Sequence, residues 1–226
     1  MRRWAVWIVL AVVVAGAVAI VPARIVERQI AAALHPLIEP GGSLVVRARV
    51  TPFGLLRGYL GRVRVTARSI RVGALTSQRL EAMLTGVDLI KTPSGDRAVG
   101  RVRGGRAVFE FGRTDMEHFL RKRGVENPVV GIDASGVTAE GMATVGGAAV
   151  KARIRGQFVA SGADLLFRVM SLEVSGVDVP AVVAQTALGF AQPAVSFRDL
   201  PFTMVIERVT SEEGRVIVRA VIEDTP

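Results

Sequence analysis

Side chains capable of covalent or acid–base chemistry are sparse in this chain. It has two histidines, His35 and His118, and no cysteine. His35 precedes Pro36, and His118 stands beside Met116 and Phe119 in a helical pattern. Both read as structural or surface groups and not as ligands. Without cysteine there is no disulfide, no thiolate metal site and no lipoprotein-type anchor. Aspartates and glutamates are scattered singly. No metal-ligand spacing, Gly-x-Ser-x-Gly elbow or P-loop occurs. The run Gly100-Arg101-Val102-Arg103-Gly104-Gly105-Arg106 fails the dinucleotide pattern and lacks the repetition and aromatics of an RNA-binding box. It reads instead as a strand entering a two-residue hairpin turn at Gly104-Gly105. The expectation is a protein that is not an enzyme and needs no cofactor and no metal.

Positive charge and apolar surface are plentiful. Over 226 residues the net charge is +9 and half the residues are hydrophobic, which suits an anionic partner. Arg62, Arg64 and Arg68 alternate with Val63, Val65 and Ala67, the period-two pattern of a half-buried strand. Arg47 and Arg49 share a face of a second alternating run, Leu44–Val50. These arginine faces are expected to attract an anionic membrane surface, the alternative being ordinary solvated strand faces. Ahead of the first strand, Thr51–Gly61 has no such alternation. Phe53, Leu55 and Leu56 lie between Pro52 and Gly58. Apolar clusters on loops mark interaction sites, and the neighbouring Arg57 is placed to meet a phosphate. The alternative is that these side chains plug one end of the sheet.

The elements that would position these groups follow from patterning. Met1-Arg2-Arg3 precedes 18 uncharged residues, Trp4–Val21, a helix of about 27 Å that is close to the hydrocarbon thickness of a bilayer. A signal peptide cleaved after Ala17-Val18-Ala19 is one reading. The length of the run favours an uncleaved signal anchor, residues 1–21, with the remainder outside the cytoplasm. Residues 22–39 read as an amphipathic helix with Val26, Ile30, Ala33, Leu34 and Leu37 on its apolar face, ended by Pro36 and Pro40-Gly41-Gly42. Residues 40–226 form the remaining domain, mostly strands joined by tight turns and hence antiparallel. Two helices interrupt it. One opens with the capping box Thr114–Glu117 and closes at Gly124. The other spans Pro180–Leu188 and, with Val182, Val183, Ala184, Ala187 and Leu188, is apolar nearly all round, so it should be deeply buried or line an apolar cavity. Composition leaves two interiors open: a filled core, or a curved sheet enclosing an acyl-chain cavity.

The order of an N-terminal span, an amphipathic helix, Pro52-Phe53-Gly54-Leu55-Leu56-Arg57-Gly58, the Val63–Val72 strand, Leu84-Thr85-Gly86-Val87-Asp88 and a late Asp199-Leu200-Pro201-Phe202 resembles the LmeA-type phospholipid-binding proteins of bacterial envelopes. The resemblance covers nearly the whole chain after the span. It implies an α+β fold in which a long curved antiparallel sheet wraps around helices, similar to tubular lipid-binding domains. It also implies phospholipid binding without catalysis. The expected protein is a single-pass cell-membrane protein with an extracytoplasmic domain that binds or shuttles anionic phospholipid in envelope assembly, without nucleic acid. Phe53, Leu55, Leu56, Arg57, Val63 and Val65 are its candidate lipid-binding residues. The rivals are a non-catalytic, membrane-anchored structural or interaction module with a solid core, and an envelope enzyme whose site escapes motif reading.

Overall fold

The computed structural model describes residues 24, 27–49, 59–91, 97–145, 148–188, 194–200 and 202–224. The expected span Trp4–Val21 and the loop residues Phe53, Leu55, Leu56 and Arg57 lie outside them. Among the described residues no helix is long and apolar enough to cross a membrane.

The chain runs from a helix, α1 (27–34), through a 3-10 turn, His35–Leu37, into a meander of four long strands: β1 (Ile38–Arg49), β2 (Tyr59–Val72), β3 (Leu75–Lys91) and β4 (Arg97–Gly112). Helix α2 (Arg113–Lys122) leads to a second meander, β5 (Glu126–Asp133), β6 (Gly136–Val145), β7 (Ala148–Ser161) and β8 (Asp164–Val174). Short β9 (Val177–Val179), helix α3 (Ala181–Leu188) and two-residue β10 (Val195–Ser196) follow. The hairpin of β11 (Met204–Glu212) and β12 (Arg215–Ile222) then returns to the first meander. The strands form two antiparallel sheets, ordered β1-β2-β3-β4-β12-β11 and β10-β8-β7-β6-β5, with β9 on β8. The fold is therefore β-rich, with two sheets where one long sheet was expected.

The alternation on β2 plays out as patterned. Val63, Val65 and Ala67 are buried while Arg62, Arg64 and Arg68 are exposed. Leu80 and Leu84 of β3, Phe109 and Phe111 of β4 and Val216 and Val218 of β12 continue the same sealed face. The Phe109 and Phe197 rings meet edge to face at 4.7 Å between centroids. Ile30 and Leu34 of α1, four residues apart and so one above the other on the helix, join this core. The two sheets are tied by backbone bonds: Ile206 N–H donates to the Gly162 carbonyl at 2.9 Å and Gly214 N–H to the Ile132 carbonyl at 3.0 Å.

Four local expectations are corrected. Pro40-Gly41-Gly42 does not end the helical segment but lies inside β1, at the register irregularity between Ile38 and Ser43. Gly104 and Gly105 are mid-strand residues of β4, paired with Thr85 and Leu84, and not a turn. A Cβ on Gly105 would lie 2.4 Å from the Met83 carbonyl oxygen, so glycine here serves the close approach of two backbones. Helix α2 is capped two residues earlier than its sequence box implies. Gly112 is the N-cap and its N–H donates to Asp115 Oδ2 at 2.8 Å. Finally, α3 is not deeply buried. Val182 and Val183 are 78% and 57% exposed and only Ala184 among its described side chains is fully covered, because α3 packs on β8 along one narrow line.

Candidate functional site

The two sheets differ in how their apolar faces are used. The first is sealed. The second is not: the inward residues Ala152, Ile154 and Phe158 of β7 and Phe167 and Leu172 of β8 are half-buried. They bound a cavity of about 270 Å³ roofed by Met116, Phe119 and Leu120 of α2.

Strand alternation builds this wall. On β7, Lys151, Arg153 and Arg155 face outward and their neighbours face in. Small inward residues leave the volume open: Ala139, Gly141 and Ala143 of β6 and Ala152 of β7 all line it. Gly156 makes room for Phe167, since a Cβ there would meet that ring at 2.6 Å and the Arg168 carbonyl oxygen at 2.3 Å. Phe167 in turn packs edge to face on Phe158 at 5.2 Å. The Gln185 side chain of α3 pins the outside of this wall, accepting from Val169 N–H at 2.8 Å and donating to the Phe167 carbonyl at 3.3 Å.

Among the described residues Glu140 is the one charged residue on the lining. Its carboxylate accepts from Arg153 Nε at 2.6 Å and has Lys151 Nζ at 4.0 Å. The Arg153 hydrogen bond holds its pKa below the usual carboxylate value. A carboxylate so engaged is not poised as a general base. The arrangement buries apolar matter from water, at about 0.8 kcal/mol per methylene covered. Its volume falls just below the roughly 300–1,000 Å³ of pockets for drug-sized ligands, which fits a stretch of one acyl chain and not a whole two-chain lipid.

Of the expected lipid-binding residues, Val63 and Val65 are 0% and 1% exposed in the sealed core and are not among the residues lining the cavity. Phe53, Leu55, Leu56 and Arg57 fall outside the described residues. The cavity residues themselves were missed; the signal was a set of small residues at inward positions on two adjacent strands.

No curated protein and no solved structure matches the chain. A family model described as LmeA-like phospholipid-binding matches residues 18–221. That match takes in both sheets, α2 and every residue that lines the cavity, and the chain belongs to the LmeA-like phospholipid-binding family.

Proposed function

We propose that this protein is a non-catalytic phospholipid carrier, held in the cell membrane by residues 1–21 with its domain extracytoplasmic, which binds and shuttles anionic phospholipid during envelope assembly. One acyl chain is sheltered beneath α2 while the headgroup stays in water. The observation that carries this reading is the apolar, solvent-reachable cavity with a single, already neutralised charge on its lining. The rival, an interaction module with a solid core, draws on the sealed first sheet but leaves the open second sheet without a purpose.

The test is mass spectrometry of lipids retained by the full-length chain after bulk lipid is exchanged for detergent, compared with Ala152→Trp. Retained acyl lipid that disappears in the variant, at unchanged melting temperature, supports the carrier. A lipid-free wild type, or equal retention in both, supports the solid-core module.

A further inference from the structure

The outer face of the first sheet carries an arrangement that folding does not explain. In the β1–β2 register Arg47 stands directly opposite Arg64, and Arg49 directly opposite Arg62. The first row continues across β3 at Met83 to Arg106 on β4, and the second across β3 at Thr85. All five arginines are exposed. Like charges directly opposed on a sheet destabilise it. None of the five has an ion-pair partner among the described residues, whereas Arg101, Arg103, Arg153, Arg198 and Arg215 all do. Arg64 and Arg106 flank a shallow depression lined also by Met83 and Thr85, and Glu81, the acid bordering it, is engaged by Arg79.

From this register we infer that Arg47, Arg49, Arg62, Arg64 and Arg106 form a docking face for an anionic bilayer surface. Four strands place the guanidiniums across roughly 14 Å of sheet, a patch and not a point. External phosphates supply the counter-charge that the sheet itself withholds, and each arginine near an anionic leaflet strengthens association several-fold. Val45, next along β1 and 47% exposed, and Met83 set apolar side chains among the arginines, as suits the headgroup boundary. The residues between the arginines are not aromatic rings on which nucleic-acid bases would stack. The choice of a membrane rests on the phospholipid-carrier reading; the arginine array does not.

The experiment is arginine footprinting with phenylglyoxal, read by peptide mass spectrometry, on the full chain in nanodiscs. One set is pure phosphatidylcholine; the other contains phosphatidylglycerol. The five arginines should be modified on the order of tenfold more slowly on the anionic discs, in proportion to their several-fold individual contributions. High salt should remove the protection, and Arg153 and Arg198 should react alike on both. The Arg62→Gln/Arg64→Gln variant, checked for a melting temperature no lower than that of the wild type, should lose protection at Arg47, Arg49 and Arg106. Equal reactivity on neutral and anionic discs overturns the docking face. So does protection by a duplex oligonucleotide but not by anionic lipid, which assigns the patch to nucleic acid. Lipid retained by Arg62→Gln/Arg64→Gln at the wild-type level separates the two ideas: docking can then fail while the carrier stands.

Discussion

Putting the same carboxylate into each sheet tests the contrast between sealed and open faces. Leu84 is 0% exposed in the first sheet, and Ile154 is half-buried on the cavity wall of the second. Leu84→Asp loses the apolar side chain, worth about 2–5 kcal/mol with the cavity left behind, and strands a charge or a neutral carboxyl without a partner. The sum is at least about 4 kcal/mol, a large fraction of the roughly 5–15 kcal/mol that holds a domain folded. Ile154→Asp loses only part of the roughly 1.5–3 kcal/mol of a fully buried side chain, and its carboxylate keeps water, so about 1 kcal/mol is expected. For lipid the order reverses. A charge on the cavity wall denies cover to two or three methylenes at about 0.8 kcal/mol each, close to 2 kcal/mol or about 30-fold in affinity. Urea unfolding of the full chain in mild detergent gives the first quantity and displacement of a fluorescent acyl phospholipid the second. If Ile154→Asp unfolds as readily as Leu84→Asp, the second sheet is sealed too. If it binds lipid with wild-type affinity, the acyl chain lies elsewhere.

Three further outcomes follow from particular contacts. Gly105→Ala drives a Cβ to 2.4 Å from the Met83 carbonyl oxygen; forcing β3 and β4 apart should cost roughly 2 kcal/mol, a drop of about 4–8 °C in melting temperature for a chain this size. Arg62→Gln removes one of two facing charges and should stabilise by about 0.2–1 kcal/mol at low salt, with the gain fading as salt rises; a gain that persists in molar salt contradicts an electrostatic origin. Burial raises the Asp115 pKa against the hydrogen bonds from Gly112 N–H and Gln78 that lower it. A carboxyl raised in the folded state adds stability that is full below its unfolded pKa, about 3.9, and is lost as pH rises through the folded value. Melting curves of Asp115→Asn across pH should therefore lack the decline that starts near pH 4, and parallel profiles for the two proteins would refute this.

Sequence patterning revealed the parts of this fold that depend on near neighbours. The arginine–valine alternation of β2 assigns its two faces because side-chain direction in a strand depends only on parity. The β11–β12 and β7–β8 hairpins turn at Glu213-Gly214 and Gly162 for similarly local reasons: Gly162 and Gly214 take φ of +60° and +77°, which glycine adopts without strain. Gly104-Gly105 offered the same letters with another cause, the approach of β3's backbone, which nothing nearby in sequence encodes. The exposure of Val182 and Val183 was illegible for a related reason. Composition says that a helix is apolar; only its neighbours decide how much of it is covered. The cavity was hardest to read, because its lining runs from Leu75 to Ala194 and exists only once α2 crosses the second sheet.

Helix α1 does more than fill a groove. Glu27 accepts the Ala48 N–H at 2.8 Å, and β1 is the outermost strand of its sheet, so the carboxylate occupies a donor that another protein's strand would otherwise seek. Anyone preparing a shortened form for crystallisation must therefore begin upstream of residue 24. A version starting at Gly42 would lose Ile30 and Leu34 from the interior and free the Ala48 N–H on an edge strand, and its expected fate is edge-to-edge association in the test tube.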